Sequence, residues 1–169
     1  MDPDKYINLF KETNALMNGH FELSSGKHSD QYFQCALVLE DPENASFIGQ
    51  AIAYSLSDLK GQTVIGPALG GIIIGYEVAR HLDSHFVFAE RKEGTMQIRR
   101  GFEVKKGDRV ILVEDVITTG GSVLEVAKLV DSMGAKVEAI ASIVNRQSKS
   151  PIPFDYRYEY LLHNETPSY

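Results

Sequence analysis

The sequence predicts an α/β fold, with a central, mostly parallel β-sheet flanked by helices. Three observations carry that reading. The short runs at 63–65, 110–113 and 137–144 are predominantly apolar on both alternating faces, as expected of strands covered on both sides. The first two lead through glycine-containing turns into stretches with helical periodicity. Strand-like and helix-like segments then alternate, the order that produces parallel strands with right-handed crossovers. The chain has 169 residues, enough for one domain with its own core, so a single domain over 1–169 is expected.

Each element follows in turn. Tyr6, Leu9, Phe10, Leu16 and Met17 recur at helical spacing over 3–18, and Asn18-Gly19 ends the pattern. Residues 20–40 read as strands and turns, with a turn at Ser24-Ser25-Gly26 and an extended segment at 31–38. A helix over 43–59 gathers Phe47, Ile48, Ala51, Ile52 and Leu56 on one face before Gly61. The strand at 63–65, a glycine loop at 66–71, a helix at 72–82 and a strand at 85–89 come next. Residues 94–108 are polar, basic and unpatterned, so either a long loop or a flexible hairpin is expected; such loops often serve as lids. A strand at 109–113 leads to a helix whose Val123, Val126, Ala127, Val130 and Met133 share a face, with Gly134 at its end. A strand at 137–144 follows. The tail at 156–162 alternates polar with apolar or aromatic residues and reads as an edge strand or a hairpin arm.

Composition narrows the function. Apolar residues make up 43% and charged residues 24%, which is globular rather than disordered. The net charge of −6 argues against sequence-independent nucleic-acid binding, which needs a broad basic footprint. One cysteine, Cys35, leaves no internal disulfide and no cysteine-rich zinc site, and suits a reducing compartment. No apolar run has the length of a membrane span, and the first residues do not read as a signal peptide. A cytoplasmic protein without membrane partners is the expectation.

The strongest chemical signal is V-I-L-V-E-D-V-I-T-T-G-G-S at 110–122. An apolar strand runs into two adjacent carboxylates, Glu114 and Asp115, and then into a small-residue turn that opens a helix. Glycines let backbone N–H groups approach an anion, hydroxyls add donors, and a helix N-terminus carries about half a positive charge. That suits a phosphate monoester. Carboxylates accept hydrogen bonds from sugar hydroxyls, and they lie at the strand end where α/β proteins bind ligands. A phosphate seat beside a diol seat points to a ribose 5-phosphate. Neither G-x-x-x-x-G-K-[ST] nor G-x-G-x-x-G is present, so P-loop and Rossmann readings lack their fingerprints.

Residues 110–122 closely resemble the phosphoribosyl-pyrophosphate (PRPP) motif of type I phosphoribosyltransferases, which implies that family's fold with a small N-terminal hood at 19–40. The resemblance implies that Glu114 and Asp115 face the ribose hydroxyls and act in catalysis. It assigns PRPP binding to Arg91, Lys92, Glu114, Asp115, Val116, Ile117, Thr118, Thr119, Gly120, Gly121 and Ser122. The loop G-P-A-L-G-G at 66–71 resembles the family's pyrophosphate loop, with Ala68, Leu69, Gly70 and Gly71 around the anion and a non-proline cis peptide placed by position at Ala68–Leu69.

The segment F-E-L-S-S-G-K-H-S-D-Q-Y-F at 21–33 resembles the hood of the orotate branch. Tyr32 and Phe33 would then lie against the pyrimidine, although Phe33 reads equally well as a core aromatic. I-V-N-R-Q at 143–147 resembles the strand whose arginine pairs with the orotate carboxylate, so Arg146 takes that role, with Thr118 also touching the base. The pattern departs from the better-known members at Ser24 and Gly70, where those carry lysines, and in 93–102, which has no lysine or histidine. Arg99 and Arg100 are left as catalytic charge stabilisers, since arginine is a poor general acid. The solvated face of the basic run is Lys105-Lys106.

The implied reaction is Mg²⁺-dependent transfer of phosphoribosyl from PRPP to orotate, by a homodimer with shared active sites. No protein metal cage is expected, because His20, His28, His81, His85 and His163 form no ligand cluster by spacing. Two rivals stay open: a phosphoribosyltransferase for uracil or a purine, and a PRPP-sensing regulator without turnover.

Overall fold

The computed structural model describes residues 2–23, 26–147, 155–165 and 169. Ser24 and Ser25 of the first turn, and residues 148–154 and 166–168 of the tail, lie outside them. Helix α1 (Pro3–Glu12) starts where Asp2 accepts a hydrogen bond from the Asp4 amide at 3.1 Å, with Pro3 in the first turn. It is shorter than the periodicity over 3–18 implies. Asn14 adopts a left-handed conformation (φ 56°) and the Ala15 amide turns back to the Phe10 carbonyl, so Leu16 and Met17 open strand β1 (Leu16–Glu22) instead. Strand β2 (His28–Phe33) pairs antiparallel with β1. The extended segment expected to reach residue 38 ends at Phe33. Cys35, Val38 and Leu39 are all buried, a spacing that only helix α2 (Cys35–Leu39) satisfies.

Helix α3 (Pro42–Ser55) is capped by Asp41, and a short 3₁₀ turn, Ser57–Leu59, follows it. Beyond it come β3 (Thr63–Pro67), α4 (Gly70–His81), β4 (Phe86–Lys92), β5 (Thr95–Ile98), β6 (Arg109–Ile117), α5 (Gly121–Ser132), β7 (Lys136–Asn145) and β8 (Arg157–His163). The main sheet runs in the order β5-β4-β3-β6-β7-β8. All pairings are parallel except β4 with β5. The start of the unpatterned segment is therefore a hairpin: Glu93 and Gly94, both at positive φ, make the two-residue turn. The tail strand β8 is an edge strand, parallel to β7.

Both faces of the sheet are covered, as the predominantly apolar runs require. Ile111 and Val113 of β6 pack with Phe10, Ile48, Ile52, Ile74 and Val78 from α1, α3 and α4. Val110 and Leu112 point the other way, onto Val123, Val126 and Val130 of α5. Helices α4 and α5 thus leave opposite faces. The neighbours β3 and β6 send their connections in opposite directions, and the crevice between their C-terminal ends is the switch point where open α/β sheets bind ligands. No helix among the described residues is long and apolar enough to cross a membrane.

Candidate active site

The crevice begins where β6 loses a neighbour. Strand β3 pairs with it only as far as Leu112, whereas β7 stays paired to Ile117. Residues 110–113 are fully buried, and Glu114, Asp115 and Val116 emerge half-covered on the open side. The strand was expected to end at 113, but the β7 ladder carries it past the acid pair, which holds both carboxylates on regular backbone.

The turn that follows is built to be open. Thr118, Thr119, Gly121 and Ser122 are exposed, while Ile117 is core. Gly120 sits in the left-handed region (φ 81°) at the N-cap of α5, and no side chain caps the helix. The Gly121 amide makes only a 3.4 Å contact to Thr119 Oγ1. The first-turn N–H groups therefore face a cavity of about 300 Å³ lined by Glu114, 116–123 and Glu125. Uncapped amides and a helix dipole around an open volume form an anion seat.

The loop from β3 to α4 packs against the acid pair at Asp115. Its Ala68–Leu69 peptide is cis, at the expected position, and Leu69 is 85% exposed. Three glycines here answer to close approaches. A Cβ on Gly66 would lie 2.3 Å from the Gly71 carbonyl oxygen, and one on Gly71 would lie 2.7 Å from that of Val113. A Cβ on Gly70 would lie 2.5 Å from Asp115 Oδ1. The pyrophosphate-type loop thus touches the acid pair directly, and a lysine at 70 would displace the Asp115 carboxylate. Gly70→Ala is expected to raise the KM for PRPP about tenfold, the scale of one charge-assisted hydrogen bond. Its thermal midpoint should stay within a few degrees of wild type; an unchanged KM would show that Asp115 has room to move.

The acid pair is not a doubled charge. Burial, then the nearby Asp115 charge and a hydrogen bond with Asp115, push the Glu114 carboxyl up to about 9. Glu114 is therefore protonated near neutral pH, which eases repulsion of an incoming phosphate. The Asp115 amide donates to Glu114 Oε1 at 3.1 Å, and Asp115 Oδ1 accepts from the Val116 amide at 2.7 Å. Beneath them lies Cys35, whose thiol is pushed well up by burial and by the charges of Asp115 and Glu114. It is a core residue and no nucleophile.

Arg146, one residue past β7, does not itself line that cavity but is tied to its wall. Its amide donates to the Ile117 carbonyl at 2.8 Å, tying it to the phosphate turn. The side chain is only 9% exposed, and its Nε is buried with no partner. Nη2 donates to Ser29 Oγ at 2.8 Å, the guanidinium lies 5.8 Å from the Phe33 ring centre, and no carboxylate among the described residues pairs with it. Thr118 is exposed in the turn that Arg146 is tied to, and Tyr32 is half-buried against Phe21. Phe33 differs from its assignment to the base. It is 4% exposed and packs edge-on against Phe10, because an odd-numbered register position on β2 faces the core.

The basic segment is engaged elsewhere. Arg91 makes a two-pronged ion pair with Glu125 of α5, both contacts at 2.9 Å, and Lys92 is exposed at the end of β4. Arg99 and Arg100 both grip Glu90, and their charges hold its carboxyl below the usual range. Phe102 packs on Phe88, so 99–102 is anchored loop. None of Arg91, Lys92, Arg99 or Arg100 lines the cavity. Lys105 is solvated as expected, with a loose 3.9 Å contact to Glu103.

Comparison with known proteins decides the family. Residues 39–165 match the phosphoribosyl transferase domain. An orotate phosphoribosyltransferase of Caldicellulosiruptor bescii is 48% identical over 162 residues, covering 96% of this chain and 85% of that protein. This chain belongs to the phosphoribosyl transferase family. The fold also occurs in an orotate phosphoribosyltransferase of Aeropyrum pernix, with TM-score 0.75, 24% identity and 92% of each chain covered. It occurs again in an adenine phosphoribosyltransferase of Thermoanaerobacter pseudethanolicus, with TM-score 0.72, 21% identity, and 92% of this chain and 99% of that one covered. At such identities the likeness concerns fold alone, and one framework serves a pyrimidine and a purine enzyme.

The fold of a phosphoribosyl transferase therefore does not by itself select a base, and the side chains around the hood strands bear on the question. Sequence reasoning passed over Ser29 there, and Glu125 at the cavity wall. Ser29 stood in the hood pattern, but nothing local marked it as the partner of a residue 117 positions away. Among the described residues no three His, Cys, Asp or Glu side chains converge on one point. Of the acid pair, the Asp115 carboxylate is the hard oxygen donor that suits Mg²⁺, which keeps several waters and takes few protein ligands.

Proposed function

We propose that this chain transfers the phosphoribosyl group of PRPP to N1 of orotate, giving orotidine 5′-monophosphate and pyrophosphate in pyrimidine biosynthesis. The observation that carries the base assignment is Arg146: a nearly buried guanidinium with an orphaned Nε and no carboxylate partner, tied to the phosphate turn. A buried cation is stable only when paired, and the carboxylate of an acidic base supplies the missing partner in a bidentate fork. A neutral base leaves it unpaired, which disfavours uracil and purines.

In this reading the amides of 118–122 hold the 5-phosphate while Asp115 and Glu114 accept from the ribose hydroxyls. The loop 68–71 faces the pyrophosphate, and Arg146 with Thr118 and Tyr32 sets the base over the anomeric carbon. Bond breaking at that carbon runs ahead of bond making, so positive charge develops on the ring. Positioning and charge stabilisation then supply most of the acceleration. Asp115 would help to hold Mg²⁺, which would supply neutralisation of the pyrophosphate's negative charge. The reading includes one catalytic domain with its hood, a cytoplasmic setting, and a homodimer in which one subunit's Arg91–Arg100 segment serves its partner's site. What supports the last point is that none of the four basic residues lines its own chain's cavity: Arg91 is spent on Glu125 at its edge, and Arg99 and Arg100 on Glu90.

Depletion of orotate, followed by absorbance with PRPP and Mg²⁺ present, tests this reading, with uracil and hypoxanthine run in parallel. Consumption of orotate alone is expected; turnover of either neutral base in its place would overturn it.

The Glu114 environment adds a pH signature. A carboxyl held up to about 9 in the folded state keeps a proton that the unfolded chain has released. Stability therefore falls as pH climbs from the ordinary carboxylate range towards 9. Glu114→Gln removes that proton exchange. Thermal unfolding between pH 5 and pH 9 should show a flatter profile for the variant; parallel profiles would mean that Glu114 titrates normally.

A further inference from the structure

We propose that Ser29 is the positioning residue for base recognition: its hydroxyl fixes the Arg146 guanidinium, and so sets the preference for a carboxylate-bearing base. The inference rests on the reading of Arg146 given above and extends it to a residue that does not itself touch substrate.

The hydrogen-bond accounting around Ser29 is closed. Its side chain is completely buried. A serine hydroxyl offers one proton and two lone pairs. The proton goes to the Gln31 carbonyl at 3.0 Å, and the oxygen accepts from the Gln31 amide at 3.3 Å and from Arg146 Nη2 at 2.8 Å. With its proton committed to Gln31, the hydroxyl presents only an acceptor to the guanidinium. It therefore orients the cation without neutralising it, as a carboxylate at the same position would. Nη2 is anchored and the Phe33 ring lies beneath the plane, while Nε stays unpaired. The guanidinium is thereby held in one orientation with part of its hydrogen-bonding capacity unspent.

The same bond joins two parts of the fold. Ser29 lies on the hood strand β2, and Arg146 follows β7 of the main sheet. The hood is thus registered to the base site by the side chain that reads the base. A rigid, pre-oriented fork loses less freedom on binding a carboxylate than a mobile one.

The test compares binding of two nucleotides that differ only in the base carboxylate, orotidine 5′-monophosphate and uridine 5′-monophosphate, by calorimetry. In Ser29→Ala the first is expected to weaken about tenfold, the scale of a hydrogen bond to a charged group, while the second stays within about twofold. Ser29→Thr keeps the hydroxyl and should restore most of the difference. Adding Ser29→Ala to Arg146→Met should cost nothing further in orotidine 5′-monophosphate affinity, because the two residues act as one unit. Equal weakening of both nucleotides in Ser29→Ala would reduce Ser29 to a packing role and overturn the inference, as would full additivity in the double variant. Equal affinity of the wild-type protein for the two nucleotides would be a different failure, since it would remove the base assignment itself.

Discussion

Asp115→Asn is expected to lower kcat/KM for PRPP about 10²-fold, the loss that follows when charged hydrogen bonds formed with the substrate become neutral ones. Little change in folding should accompany it. Asp115 is half-covered, it sits on a strand held by β7, and its Oδ1 bond to the Val116 amide survives in asparagine, which keeps an acceptor oxygen. Burial and the neighbouring Asp115 raise the Glu114 carboxyl, so the two acids are not equivalent and a change at Asp115 is not simply made good by Glu114. Steady-state kinetics together with a thermal melt separate the two effects. Normal turnover by Asp115→Asn would remove the acid pair from the diol-binding role.

Arg146→Met should separate function from stability more sharply. Orotate kcat/KM is expected to fall about 10³-fold, because truncating a buried, charged fork forfeits a desolvated pair. Binding of ribose 5-phosphate should be unaffected, since the amide seat at 118–122 is untouched. Stability is expected to hold or to rise by ~1 kcal/mol, because methionine fills the space of a cation buried without a carboxylate partner and with its Nε unsatisfied. Chemical denaturation and orotate saturation curves give the two readings. A large loss of stability would mean that Arg146 is chiefly a structural tie through Ser29. Retained orotate affinity would move carboxylate recognition elsewhere.

The parts of this architecture legible in the sequence are those where local pattern and tertiary role coincide. The apolar run at 110–113 is buried on both faces, and its alternate residues reach separate helical layers, so no alternation could appear. The turn at 118–122 and the cis peptide between Ala68 and Leu69 lie where the motifs placed them. Elements set by distant contacts were less legible. Leu16 and Met17 continue the helical spacing of α1, yet the left-handed Asn14 diverts them into a strand. The extended reading of 31–38 runs on into 35–38 because so short an apolar run cannot distinguish a buried helix from a strand. Strand β5 carries only Met96 and Ile98 as a two-residue apolar alternation, too short to stand out, and the Glu93-Gly94 turn folds it back along β4. At the site, Phe33 and Tyr32 are adjacent on β2 and so face opposite sides; only the packing of Phe33 on Phe10 reveals which is core. Ser29 emerges as a site residue only once the fold joins it to Arg146.

The central claim is that the open amides at the start of α5 seat the sugar phosphate between the acid pair and Arg146. An amide-resolved NMR titration of the isotopically labelled chain with ribose 5-phosphate tests it most directly. Saturable, downfield shifts concentrated at the amides of Thr119, Gly120, Gly121 and Ser122 are predicted, with smaller changes at Glu114 and Asp115. Saturable binding that leaves those four amides unmoved would contradict the account.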